Sequence, residues 1–185
     1  RSLARMSLSK ACAALTRRAQ DETRSPSCRL HSALAVCGSS SAPLHLALQA
    51  HATAALLLYR HTEEAALSVQ QLQAALERCD AAPSHQTLPV VCAGAAVAQG
   101  LILQGELELA RQLMEPLLAF LLQRPALGSG VDSSDPYPLL CCHVHVLELA
   151  LLDGEGRLGA AAAALPAVRL AAQALRGTPA APAAP

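Results

Sequence analysis

The sequence predicts an all-α chain of helical hairpins stacked side by side as an α-solenoid, and three observations carry that prediction. Hydrophobic residues fill 52% of the 185 positions, most of them alanine and leucine, which lose least on entering a helix. Tryptophan is absent, Phe120 is the one phenylalanine and Tyr59 and Tyr137 are the two tyrosines, so little in the chain favours a pleated sheet. Apolar positions recur at three- and four-residue spacing in segments punctuated by Pro, Gly and Ser.

Each element follows from that punctuation. The first helix is expected from Leu3 to Gln20, with Met6, Ala13 and Ala14 near its apolar side, and Arg24-Ser25-Pro26 breaks it. A short helix from Ser27 to Cys37 ends at Gly38 and a serine run. Pro43 stands where a first-turn proline is tolerated and opens a helix to Tyr59. Thr62 is expected to cap the next helix, to Cys79, with Glu63 and Glu64 in its first turn. Asp80 to Thr87 reads as a loop, followed by a helix from Pro89 to Leu103. Gly105 turns the chain into a helix from Glu106 to Gln123, kinked at Pro116. After a linker from Arg124 to Pro138, a helix from Tyr137 to Leu152, a turn at Asp153-Gly154-Glu155-Gly156 and an Ala-rich helix toward Leu175 complete the series. The organisation is thus N-terminal helices over 1–41, three hairpins within 42–176 (44–79, 89–123 and 137–175), and a disordered Pro/Ala tail over 177–185.

The hairpins resemble tetratricopeptide pairs, in which small residues let two helices approach closely. The middle pair fits best, with Ala98, Leu101, Gly105, Ala110, Met114 and Leu117. The first offers Leu56, Tyr59, Ser68, Leu72 and Ala75; the third offers Leu147, Ala150, Gly154, Gly159 and Ala163. Ser68, Ala110 and Gly159 are expected at equivalent close contacts, 42 and then 49 residues apart. That spacing exceeds the roughly 34 residues of a regular array, so a heat-repeat-like arrangement or a plain bundle stays open.

Charge and cysteine usage narrow the function classes. Formal charge is zero, yet the first 29 residues hold seven basic side chains against Asp21 and Glu22, leaving the rest at minus five. No concentrated basic face follows, so no direct nucleic-acid contact is expected. The apolar stretches Val90 to Leu103 and Leu139 to Leu152 fall short of a membrane span and carry Gln99, or His143, His145 and Glu148. No membrane partner is therefore expected. Seven cysteines, an odd number without a CxxC pair, suit buried thiols in a reducing, intracellular setting. Arg1 in place of an initiating Met reads the chain as a fragment.

No enzyme is expected, and no cofactor. In Cys141-Cys142-His143-Val144-His145 the two histidines point about 200° apart on a helix. Cys141 and His145 have ligand spacing, but two ligands leave a zinc site half built, so the metal expectation is none. Nucleophile elbows, phosphate loops and HExxH are absent from the sequence. Glu106 and Glu108 fall in a first turn, where helix electrostatics explains them. A binding surface has more to stand on: first helices of stacked pairs line a concave face that receives extended peptides. Thr53, Arg60, Gln99, Ile102, Val144 and Glu148 are expected to project into that groove, with ordinary interhelical contact as the alternative.

The stretch Leu57-Leu58-Tyr59-Arg60-His61-Thr62, followed by Gln70-Gln71-Leu72-Gln73-Ala74-Ala75, resembles the first clear repeat of the smaller, tetratricopeptide subunit of the cohesin loading complex. Cys28-Arg29-Leu30-His31 to Val36 is similar to that family's short helix, and Tyr137 to Gly159 lies along a later repeat without gaps. The resemblance spans about residues 3 to 175. It implies a nuclear scaffold that wraps the extended N-terminal segment of the large loader subunit and acts in sister chromatid cohesion, meeting cohesin and chromatin indirectly. A helical adaptor of another signalling, trafficking or ubiquitin-ligase assembly is the competing expectation.

Overall fold

The computed structural model describes residues 2–80, 82–123 and 137–177. Among them are eight helices and no strand: α1 (Ser2–Gln20), α2 (Pro26–Cys37), α3 (Leu44–His61), α4 (Ala65–Cys79), α5 (Ser84–Gln104), α6 (Leu107–Gln123), α7 (Tyr137–Gly154) and α8 (Leu158–Gly177). The all-α expectation holds. Of the linker expected over 124–138 and the tail expected over 177–185, residues 124–136 and 178–185 lie outside the described residues, as does the side chain of Met6, while Tyr137, Pro138 and Gly177 are helical.

Two compact units divide the chain, residues 1–97 and 98–185, with the division falling inside α5. In the first, α1 packs on α2 and α3, α2 on α3, and α3 on α4. Small side chains make this possible: Cys12, Val36 and Ala50 form one buried cluster, and Ala19, Ala33 and Ala54 another. An alanine at each crossing lets neighbouring backbones approach without leaving a void. In the second unit α6 packs on α7 and α7 on α8. Leu113, Met114 and Leu117 of α6 and Val144, Leu147 and Leu151 of α7 are buried there.

Local bonding explains several boundaries. Ser25 accepts from the Cys28 amide at 3.4 Å and Pro26 opens α2, so the helix starts where its first orphan amides are covered. Thr62 corrects an expectation: it closes α3 instead of opening α4. Its hydroxyl donates to the Leu58 carbonyl at 2.6 Å, its amide donates to the same carbonyl, and α4 begins only at Ala65. Pro89 is a second correction, because α5 begins five residues earlier at Ser84 and carries Pro89 inside it. The proline sits in the second turn and costs α5 one backbone bond.

Gly105 and Gly156, with φ of 79° and 70°, close α5 and α7 in the same way. Glu106 and Arg157 amides reach back to Leu101 and Leu152, and the glycine amides to Ile102 and Asp153. This paired pattern covers the last carbonyls of a helix and needs a left-handed residue. The turn expected at Asp153 to Gly156 therefore shifts, since α7 continues through Gly154.

Helices α4, α6 and α8 open on the same bond. Ser68, Ala110 and Ala161 donate their amides to Glu64, Glu106 and Arg157, which makes each the fourth residue of its helix. Ser68 and Ala110 are fully buried. Gly159 is exposed, and a Cβ built on it meets nothing within 4 Å. The expected close contact at Gly159 is thus corrected, with Ala161 standing in the equivalent place by helix start.

α5 contains a 20-residue stretch, His85–Gln104, with mean hydropathy 1.6. By length and composition that stretch is sufficient to cross a membrane, whereas Val90 to Leu103 alone is not. Half of it is buried against the rest of the protein, as in a core helix.

Candidate binding depressions

Among the described residues, each unit carries an open depression that could receive a ligand. The first, about 350 Å³, is walled by Thr53, Leu56, Leu57, Arg60 and His61 of α3, by Gln20 and Glu22 at the end of α1, and by Arg29 of α2. Positions 53, 57 and 60 share one side of α3 through their four- and three-residue spacing. The Arg29 Nε donates to the Ala19 carbonyl at 2.9 Å, covering the C-terminal end of α1 with a cation. Beside it, Asp21 accepts from the Thr23 hydroxyl and amide and from Arg24. These bonds, the Thr23 hydroxyl first, hold the Asp21 carboxyl below its ordinary value.

The second depression, about 390 Å³, lies among α6, α7 and α8, with Met114, Leu118, Leu151 and Leu152 as its apolar part and Ala160, Ala163 and Ala164 along α8. Its charged side is a network. Glu155, only 6% exposed, takes Arg111 at 2.7 Å and Arg157 at 3.2 Å, while Arg111 also reaches Glu108 at 3.1 Å. Burial alone would raise the Glu155 carboxyl, but hydrogen bonds from Arg111 and Arg157 outweigh it and hold the group below its usual value. The carboxylate is thereby kept charged in a site that would otherwise disfavour it.

Of the six expected groove residues, Thr53 and Arg60 come together in the first depression and Glu148 lines the second. Gln99 is exposed and Ile102 half-buried on α5, and neither belongs to the two linings. Val144 is fully buried in the second unit and presents no surface. The expectation that Val144 projects into a groove is corrected, because its side chain faces the core. Gln20, Glu22 and Arg29 were not legible as site residues, because nothing in the sequence says that the end of α1 meets α3.

His145 Nδ1 lies 3.2 Å from Glu148 Oε2. Among the described residues no group of three or more His, Cys, Asp or Glu side chains is placed to hold a metal. Among the described residues no cysteine is in a disulfide, and burial pushes the Cys37 thiol up to about 11.

Compared with protein-family models, curated proteins and solved structures, the chain matches none.

Proposed function

We propose that this chain is a non-catalytic, tetratricopeptide-like scaffold that binds an extended segment of a partner protein across α3. The observation that carries this reading is the shared lining of one depression by Thr53 and Arg60, seven residues apart on α3, over Leu56 and Leu57. A lining that mixes polar side chains with leucine is one on which helical repeats can take up peptide side chains. The partner we put forward is the N-terminal segment of the large cohesin-loader subunit, with a nuclear role in cohesin loading. The residues behind that choice, Leu57 to Thr62, include three that line the depression: Leu57, Arg60 and His61.

Overlapping peptides tiling that N-terminal segment, titrated into the full chain by fluorescence anisotropy, test the reading. At least one peptide should bind, and Arg60→Glu should weaken it. Binding by no peptide, or equal binding by the Arg60→Glu variant, removes the proposal.

A second reading has its own observation: Leu158, Leu165 and Leu170 of α8 are 67%, 41% and 67% exposed. Leu158 and Leu165, seven residues apart, share one side of α8, and exposed leucines of this kind suit an adaptor docking on a folded surface. Such binding would be lost with Leu165→Glu and unaffected by Arg60→Glu.

A further inference from the structure

We infer that the segment received by the α3 depression is acidic, with a carboxylate placed against Arg60 and Arg29 and an apolar neighbour on Leu56 and Leu57. The inference rests on the peptide-scaffold reading and adds the chemistry of the ligand.

Charge complementarity carries it. Two guanidinium groups and His61 stand on the rim against one carboxylate, Glu22. Neither arginine forms an ion pair among the described residues. Arg29 is held in place by its Nε bond to Ala19, which leaves its two terminal nitrogens to face a ligand. A guanidinium fork matches a carboxylate in shape as well as charge, and an already positioned one loses little freedom on binding. Arg60, exposed at the end of α3, supplies the second cation.

Size and surroundings select a protein segment over a polyanion. A cavity of about 350 Å³ is at the small end for ligand pockets, enough for a few side chains. Its lining includes Leu56 and Leu57, which offer a nucleic acid or polyphosphate nothing.

The test is a random peptide library displayed on phage, selected against the full chain, with enriched peptides remade synthetically and measured by anisotropy. Enriched sequences should share an Asp or Glu beside an apolar residue. Replacing that acid by Gln, or Arg60→Glu in the protein, should each weaken binding about tenfold or more. Replacing the acid by Lys should restore binding to the Arg60→Glu variant. Enrichment without an acidic position, with binding still weakened by Arg60→Glu, overturns the acidic assignment and leaves a peptide scaffold standing, whereas affinity indifferent to Arg60→Glu removes both. Selection of no peptide at all overturns the scaffold reading, and the assignment with it.

Discussion

The Ser68 hydroxyl donates to the Ala55 carbonyl at 2.8 Å, tying α4 to α3 where both residues are fully buried. Ser68→Ala removes one bond from a carbonyl within α3, so the expected loss is about 0.5–1.5 kcal/mol. Ser68→Val adds methyl groups where the helices touch and should cost more, about 1–3 kcal/mol. Urea unfolding reads both as a lowered midpoint at unchanged slope. A Ser68→Val variant as stable as the parent would mean that the contact is loose.

Gly159 gives the opposite expectation. It is the second residue of α8, exposed, with open space where a Cβ would go. Gly159→Ala should therefore stabilise the protein by roughly 0.4–1 kcal/mol, through lower unfolded-state entropy and better helix propensity. Gly105→Ala and Gly156→Ala, at positive φ, should each destabilise by about 1–2 kcal/mol. Thermal melts of the three variants separate the cases, and a destabilised Gly159→Ala would restore the close contact that the sequence suggests there.

The error at Gly159 shows what was legible. Helix identity was, because alanine and leucine periodicity is a local signal that tertiary packing here reinforces. Helix ends were read within a few residues except the start of α5, expected at Pro89 and found at Ser84, with Gly105 doing from sequence what it does in the fold. Phase was less secure: Asp153 to Gly156 looks like one turn, but the positive φ falls at Gly156 alone, so counting from Gly154 slips the register of α8. Thr62 was ambiguous for a similar reason, since a hydroxyl between two helices can serve either end. The depression on α3 was half visible. Thr53 and Arg60 follow from helix geometry, whereas Arg29 and Gln20 depend on a packing of α1 and α2 that no local pattern encodes.

His51 links stability to pH near neutrality. It is 6% exposed, with Nδ1 2.9 Å from Gln71 Oε1, so the neutral ring donates from Nδ1. Burial lowers its pKa, Arg78 adds to that, and the Gln71 bond opposes only in part. A histidine depressed below its unfolded value of 6.5 binds more protons when unfolded. Its contribution is complete above that value and is lost as pH falls toward the folded pKa, with a slope of at most about 1.4 kcal/mol per pH unit. Urea midpoints from pH 7.5 to 5 should fall in the parent, and more steeply than in His51→Gln. Identical slopes in the two proteins would show that His51 titrates as if exposed.

Glu155 governs a lower window. Its carboxyl is held below 4.5 by Arg111 and Arg157 against the opposing effect of burial. A depressed acid contributes stability that is complete above its unfolded value and lost as pH falls through the folded one. The parent should therefore hold its melting temperature down to about pH 5 on this account and lose it below. Glu155→Gln keeps the shape but leaves Arg111 without its short partner, so its melting temperature at pH 7 should drop by roughly 2–5 °C and its acid limb should flatten. Arg111→Lys retains the charge but replaces two short contacts to Glu155, from Nε and a terminal nitrogen, by a single ammonium, and should fall between. The ordering parent, Arg111→Lys, Glu155→Gln in both readouts distinguishes a specific bridge between α6 and the α7–α8 turn from a general charge effect, which would move the lysine variant not at all.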